Sequence, residues 1–223
     1  MSDNERVIRV TGKGQLKLRP DLTRITITLE GRDRDYGEVL RMSSEDTEKL
    51  KDLFGGFGFE RKDLKTLSFN VDAEYESYQE KDLWKQRFVG YRFDHVLKLE
   101  FDSDNERLGK ILYALANSPL DPQFRISYTV KDPEAAKNEL LGRAVADAKA
   151  KAAVLTQAAG VALKDIQSID YSWGEISFET RPVNRLMAAK AMGSVEEDCC
   201  YSMDIEPDDI EVSDTVTVVW EIA

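Results

Sequence analysis

Four groups of residues have types and spacings that could support chemistry. Gly12-Lys13-Gly14 lies in VTGKGQLKLRPDLTRITITLEGR (10–32), His95 is the sole histidine, and Cys199-Cys200 are the two cysteines. The fourth is a late run of acids: Glu196, Glu197, Asp198, Asp204, Glu206, Asp208 and Asp209. A phosphate loop needs G-x-x-x-x-G-K-[ST] opening a helix, and a dinucleotide fingerprint needs a third glycine there. Here the glycines lead into a strand, so no helix N-terminus is available to hold a phosphate. The pair reads instead as a bulge or a close backbone approach within strands. A lone histidine excludes a multi-histidine metal site, and any Ser-His or Cys-His pair would have to use it. His95 shares a face with Phe93 and Leu97 in mid-strand, which predicts a packed sheet histidine rather than a base. The acids could gather a hard cation through carboxylate oxygens, but the calcium-loop series is absent, so a solvated acidic loop is expected. The cysteines lack C-x-x-C spacing and a neighbouring base, and adjacent residues bridge only with strain, which predicts two reduced thiols.

The elements that must position these residues follow from periodicity. Leu16 and Leu18, then Ile25, Ile27 and Leu29, alternate with polar residues as strands do, with Pro20-Asp21 as the turn of a first hairpin. A helix is expected from Tyr36 to Phe54, with Leu40, Leu50, Leu53 and Phe54 on its apolar side, polar Ser43, Ser44 and Thr47 in its middle, and Gly55-Gly56 as its stop. Leu67, Phe69, Val71, Ala73 and Tyr75 alternate in a long strand, Gln79 to Asp82 reverse the chain, and Tyr91, Phe93, His95, Leu97, Leu99 and Phe101 return. Trp84, Tyr75 and Tyr78 fall near the tip of this hairpin and predict an exposed apolar contact surface, with a second copy as the simplest partner. Leu108, Ile111, Leu112 and Leu115 mark a helix, Phe124 to Val130 a strand, and Asp132-Pro133-Glu134 the start of a long helix to Gly160. The seam of that helix reads as Leu141, Ala144, Val145, Ala148, Ala152, Leu155 and Ala159, and its alanines predict a close approach to a sheet. Ile169, Tyr171 and Trp173 form a further strand. A long excursion of weak pattern follows from 174, with Arg185 to Met192 as a short helix. Ile210, Val212, Val216, Val218, Trp220 and Ile222 close the chain in a strand expected to return to the first hairpin.

The 223 residues carry 42 acids against 31 Lys and Arg, for a net charge of −11. Such a field repels phosphate backbones and anionic lipid heads, which argues against nucleic acid and membrane as partners. The polar start Met1 to Arg6 lacks the apolar segment of a signal peptide, and no run of about 18 apolar residues occurs. A soluble, cytoplasmic protein is the expectation from these features.

Three stretches carry a resemblance. VTGKGQLKLRPD resembles the V-x-G-x-G-x-x-x-x-x-P-D opening of the SIMPL domain family, and LLGRAVADAKAKAAVLTQAAGVAL (140–163) its alanine-rich helix before a glycine. DIEPDDIEVSDTVTVVWEI (204–222) is similar to its closing strand. The order and separations of the three match over nearly the whole chain. The resemblance implies an α+β protein with antiparallel sheets and a long helix. Many bacterial members are exported to the periplasm or envelope, some are linked to stress tolerance, and the animal namesake associates with a signalling kinase. No catalytic residues are established for the family, so none is carried over. Two departures stand out: no export signal is seen, and PDD at 207–209 replaces the usual proline-glycine.

The expected architecture is α+β, with two α/β subdomains, antiparallel sheets each covered by helices, and one long Ala-rich helix. Residues 1–100 with 205–223 would form the first subdomain, and 101–204, including an irregular excursion at 174–204, the second. The expected function is a non-enzymatic, SIMPL-like role in self-assembly or protein–protein interaction, with a stress connection. The runner-up is a carboxylate- or divalent-metal-dependent enzyme using the acidic loop at 196–209. No catalytic, cofactor-binding or metal-binding residue and no cofactor is assigned. The expected partners are further copies in a homo-oligomer and another protein.

Overall fold

Alternating strands and three helices, one of them alanine-rich, arrange themselves as two α+β units. The computed structural model describes residues 6–80, 83–171, 176–181 and 206–223. In chain order its elements are β1 (Val7–Leu18), β2 (Leu22–Asp33), α1 (Tyr36–Gly55), β3 (Lys65–Glu80), β4 (Leu83–Asp102), α2 (Asn105–Ala116), β5 (Gln123–Thr129), α3 (Pro133–Ala159), β6 (Leu163–Tyr171), β7 (Glu179–Thr180) and β8 (Ile210–Ile222). Trp173, the expected helix at 185–192, Cys199-Cys200 and the acids Glu196, Glu197, Asp198 and Asp204 lie outside the described residues. No described helix is long and apolar enough to cross a membrane.

One unit contains β1, α3, β6 and β8, whose sheet has the order β1-β8-β6. β1 and β8 pair without a register break from Val7↔Glu221 to Leu18↔Ile210. Gly12 and Gly14 therefore sit in an unbroken ladder, with no bulge and no bend. Their role is the close approach: a Cβ on Gly12 would collide with the backbone of Ala144 and Ala148, and one on Gly14 with Leu140. α3 meets this glycine track with Ala136, Leu140, Ala144, Ala148, Ala152 and Thr156, all buried. The observed seam repeats every four residues, so it drifts around the helix and follows the twist of the sheet. Leu155 and Ala159, expected in that seam, are exposed. Asp132 caps the start of α3 by accepting from the Ala135 N–H at 2.8 Å, and Gly160 ends it with φ 68°.

The other unit contains β2, α1, β3, β4 and α2, with strands in the order β3-β4-β2-β5. Its core gathers Ile25, Ile27, Phe93, Leu97, Leu99, Leu108, Ile111 and Tyr128 under α1 and α2. The buried stripe of α1 is Val39, Ser43, Thr47, Leu50 and Phe54, while Leu40 is exposed. Polar Ser43 and Thr47 thus face inward, which the apolar pattern missed. The hairpin expected at Pro20-Asp21 is absent, since β1 pairs with β8 and β2 with β4. Asp21 instead bonds the chain where it re-enters the first unit: its N–H donates to Thr129 O at 3.1 Å, and its carboxylate accepts from the Lys131 N–H at 2.8 Å. Contacts therefore group β1 and β8 with α3, whereas the expected grouping put them with β2 to β4.

Candidate functional site: the β3–β4 arm

β4 is 20 residues long, but β2 covers only part of it, from Tyr91 to Asp102. Beyond Tyr91 the chain continues as a ribbon of two strands, in which Glu74 to Glu80 pair with Leu83 to Gly90. The register shifts between Glu74 and Tyr75, leaving Val89 as the extra residue of a bulge. Gly90 makes the departure from the sheet feasible. Its φ is +156°, and a Cβ there would stand 2.5 Å from the Asp33 carbonyl oxygen, where β2 ends.

Period two gives this arm two unlike faces. Phe69, Val71, Ala73, Tyr75, Ser77 and Gln79 share one face of β3 with Trp84, Gln86 and Phe88 of β4, and none of them is charged. Trp84 is 73% exposed and Tyr75 57%. Edge-to-face ring contacts run along this face, Tyr75 to Phe88 at 5.8 Å, Phe88 to Tyr91 at 5.1 Å and Tyr91 to Tyr36 of α1 at 5.3 Å. The opposite face is a lattice of charge. Arg87 donates to Glu76 at 2.7 Å and lies 5.8 Å from the Tyr78 ring centroid, and Lys85 reaches Glu80 at 2.6 Å. Further along the same face, Arg92 bridges Glu30 and Asp94, and Lys98 and Arg24 meet on Glu100. Trp84 and Tyr75 therefore share one exposed face, whereas Tyr78 belongs to the charged face. Phe88 was overlooked, although its even-numbered spacing from Trp84 signalled the shared side.

The foot of the arm is pinned by His95. Thr47 Oγ1 donates to the Ser43 carbonyl at 2.7 Å, so it accepts from His95 Nδ1–H at 3.1 Å. Nε2 is then the acceptor for the Thr66 hydroxyl of β3, 2.9 Å away. Phe69 stands edge-on to the imidazole at 5.1 Å. Burial, and then the Lys51 charge, hold the imidazole pKa below its ordinary 6.5. Ser43 Oγ is 3.3 Å from Nδ1, but both ring nitrogens face hydroxyls, and a nucleophile's base needs a group that orients its second nitrogen as a proton carrier. His95 is a sheet-face histidine joining three elements.

Among the late acids that are described, Asp209 pairs with Lys17 at 3.5 Å. No three His, Cys, Asp or Glu side chains gather to hold a metal among the described residues.

Comparison with known proteins adds identity to this geometry. Residues 8–220 match the family described as SIMPL, "Protein of unknown function (DUF541)". Over 163 residues the chain is 28% identical to the "26 kDa periplasmic immunogenic protein" of Brucella melitensis biotype 1, a match covering 73% of this chain and 65% of that protein. The protein of the same name from Brucella abortus strain S19 matches with the same identity and coverage. The chain thus spans 65% of the length of these relatives. Their names overturn the cytoplasmic placement expected above and point to export. That expectation rested on the residues with which the sequence starts, and those carry no information about where the folded domain works.

Proposed function

The chain belongs to the SIMPL family, and on that premise we propose that it is a non-enzymatic periplasmic protein acting through self-association of its β3–β4 arm. The observation that carries this reading is the two-faced ribbon. An isolated two-stranded hairpin is marginal in water and gains stability by covering an apolar face. The arm presents such a face, uncharged from Tyr75 to Trp84, beside one on which Glu76 pairs with Arg87 and Glu80 with Lys85. A second copy suits it because a chain of net charge −11 repels itself except where charge is missing. The periplasmic part rests on the names of the two Brucella relatives.

Size-exclusion chromatography with light scattering tests this reading. The expected result is a discrete oligomer for the wild type and a smaller species for Tyr75→Ser/Trp84→Ser, with an unchanged circular-dichroism spectrum to show that the fold is kept. A wild-type monomer at high concentration, or an unchanged mass in the variant, would sink it.

A further inference from the structure

A sheet edge beside a helix is a setting in which an extended peptide adds as one more strand, and β1 has that setting. No strand lies outside it among the described residues. Its even-numbered residues turn their backbone groups to β8, and its odd-numbered residues turn theirs outward. α3 lies against β1, and three of its side chains hold outward groups. Asp147 accepts from the Lys13 N–H at 2.7 Å, Arg143 donates to Gln15 O at 3.1 Å, and Lys151 to Thr11 O at 3.5 Å. All three side chains are partly exposed, and each keeps an ion-pair partner when it lets go. Arg143 is paired with Glu139 at 2.6 Å, and Asp147 with Lys151 at 2.7 Å. An incoming strand therefore takes their places without leaving a buried charge unpaired.

The two sides of this edge say what such a strand must carry. Arg9 and Lys13 are exposed on the face of β1 away from α3 and have no carboxylate partner among the described residues. They stand about 14 Å apart, four residues at about 3.4 Å each. In a chain of net charge −11 they are cations left for a partner to neutralise. On the α3 side a groove of ≈ 370 Å³ is lined by Val10, Ala150, Lys151, Val154 and Leu155, and Val154 is 66% exposed. One side asks for acids and the other for an apolar side chain.

We propose that the edge of β1 and the flank of α3 together bind an acidic, extended segment of another protein, added as an antiparallel strand. This site is separate from the arm and does not rest on self-association. The residue opposite Lys13 exchanges both backbone bonds with it. Its N–H donates to Lys13 O, and its C=O accepts from the Lys13 N–H in place of Asp147. An acid at that position lies beside the Lys13 ammonium, because residues directly opposite share a face. A second acid four residues on stands opposite Arg9. The residue just before the second acid stands opposite Val10 and turns to the α3 side, where Val154 and Leu155 are uncovered. The motif is thus acid, three residues of which the last is apolar, then acid.

The probe is a synthetic peptide of sequence Thr-Thr-Glu-Thr-Thr-Leu-Glu, blocked at both ends and titrated into the full chain by calorimetry and amide NMR. Saturable binding is expected, with slower hydrogen exchange at the outward amides of Thr11, Lys13 and Gln15. Replacing both acids of the peptide by lysine should weaken binding at least about tenfold, and Arg9→Glu/Lys13→Glu should reverse that preference. The reversal also shows that the variant is folded. N-methylation of the first acid removes the donor to Lys13 O and should weaken binding as much. N-methylation of the next residue, whose N–H points away from β1, should have little effect, a difference that surface attraction alone does not produce. No binding, equal binding of the lysine peptide, or equal effects of the two N-methyl groups would overturn the proposal. So would a change of mass in Arg9→Glu/Lys13→Glu without peptide, since the occupant of β1 would then be a second copy.

Discussion

β1 and β3 are both edge strands, and the molecule treats them in opposite ways. β1 lies under α3 so closely that two of its residues must be glycine, and its free backbone groups are met by Arg143, Asp147 and Lys151, spaced four apart on the helix. β3 is the last strand of its sheet and projects beyond it, with no element outside it among the described residues. Edges left open invite pairing, and natural proteins cover, charge or shorten them. The acids Asp72, Glu74, Glu76 and Glu80 are that charge on β3: two β3 strands paired around Ala73 would set acid against acid. The contrast teaches that the open edge is guarded by charge, since a like strand laid against it would meet acids of its own kind. The covered edge, by contrast, is held by packing whose disruption affects the fold itself.

The largest expected effect comes from filling the covered edge. Gly12→Val drives a side chain into the Ala144 and Ala148 backbone, where no rotamer change relieves the collision. Overpacking costs about 1–3 kcal/mol in ordinary cores and more against rigid backbone, so a melting temperature at least about 5 °C lower is expected. The matched change on the open edge, Ala73→Val, adds a β-branched residue at an exposed strand position and is expected to stay within about 0.5 kcal/mol. Calorimetry of the two variants compares the edges directly, and equal losses would break the contrast.

Much of this was legible in the sequence, because alternation is a local signal. The strands of the arm, the cap and stop of α3, and the aromatic surface at Trp84 and Tyr75 all follow from period and turn chemistry. The pairing of β1 was not legible. Pro20-Asp21 carries the turn residues of a hairpin, yet the choice of partner lies with β8, some 200 residues away, and with the α3 backbone. The glycines at 12 and 14 announced a close approach without saying to what. Ser43 and Thr47 were taken from the core of α1 by their polarity, although His95 on β4 supplies the hydrogen bonds that let them be buried. Leu155 was placed in the core because it is apolar, whereas the seam of α3 is set by the twist of the sheet. What the sequence hid in each case is a long-range partner.

His95 yields the intermediate effect and concerns how the open strand is anchored. Its Nε2 holds Thr66 of β3, so His95→Gln should loosen the foot of the arm by about 1–2 kcal/mol, the worth of one or two partly buried hydrogen bonds. The pH dependence is more specific. The folded imidazole has a pKa below 6.5, so as pH falls through 6.5 the unfolded chain takes up its proton first. Stability present above that pH is lost between 6.5 and the lower folded value. As His95 is the sole histidine, the slope of unfolding free energy between pH 7.5 and 5.5 should flatten in His95→Gln. An unchanged slope would show that the folded imidazole keeps its ordinary pKa, so that burial in this contact does not disfavour its charge.

The smallest effect separates edge covering from edge packing. The Lys151 ammonium, and then the Lys13 N–H, hold the Asp147 carboxyl below its ordinary pKa, which fits a carboxylate standing in for a strand's carbonyl. Asp147→Ala removes that acceptor but leaves the glycine track and the alanine seam in place. The melting temperature should therefore move by less than about 2 °C, as for an ordinary surface change. The local opening is different, because the Lys13 amide loses its partner while its neighbours keep theirs to β8. Hydrogen exchange followed by NMR should show faster exchange at Lys13 and unchanged protection at Gly12 and Gly14, whose backbone groups alternate toward β8. Equal acceleration along the whole of β1 would mean that the carboxylate holds the strand in place, and the covered edge would then be no better packed than the open one.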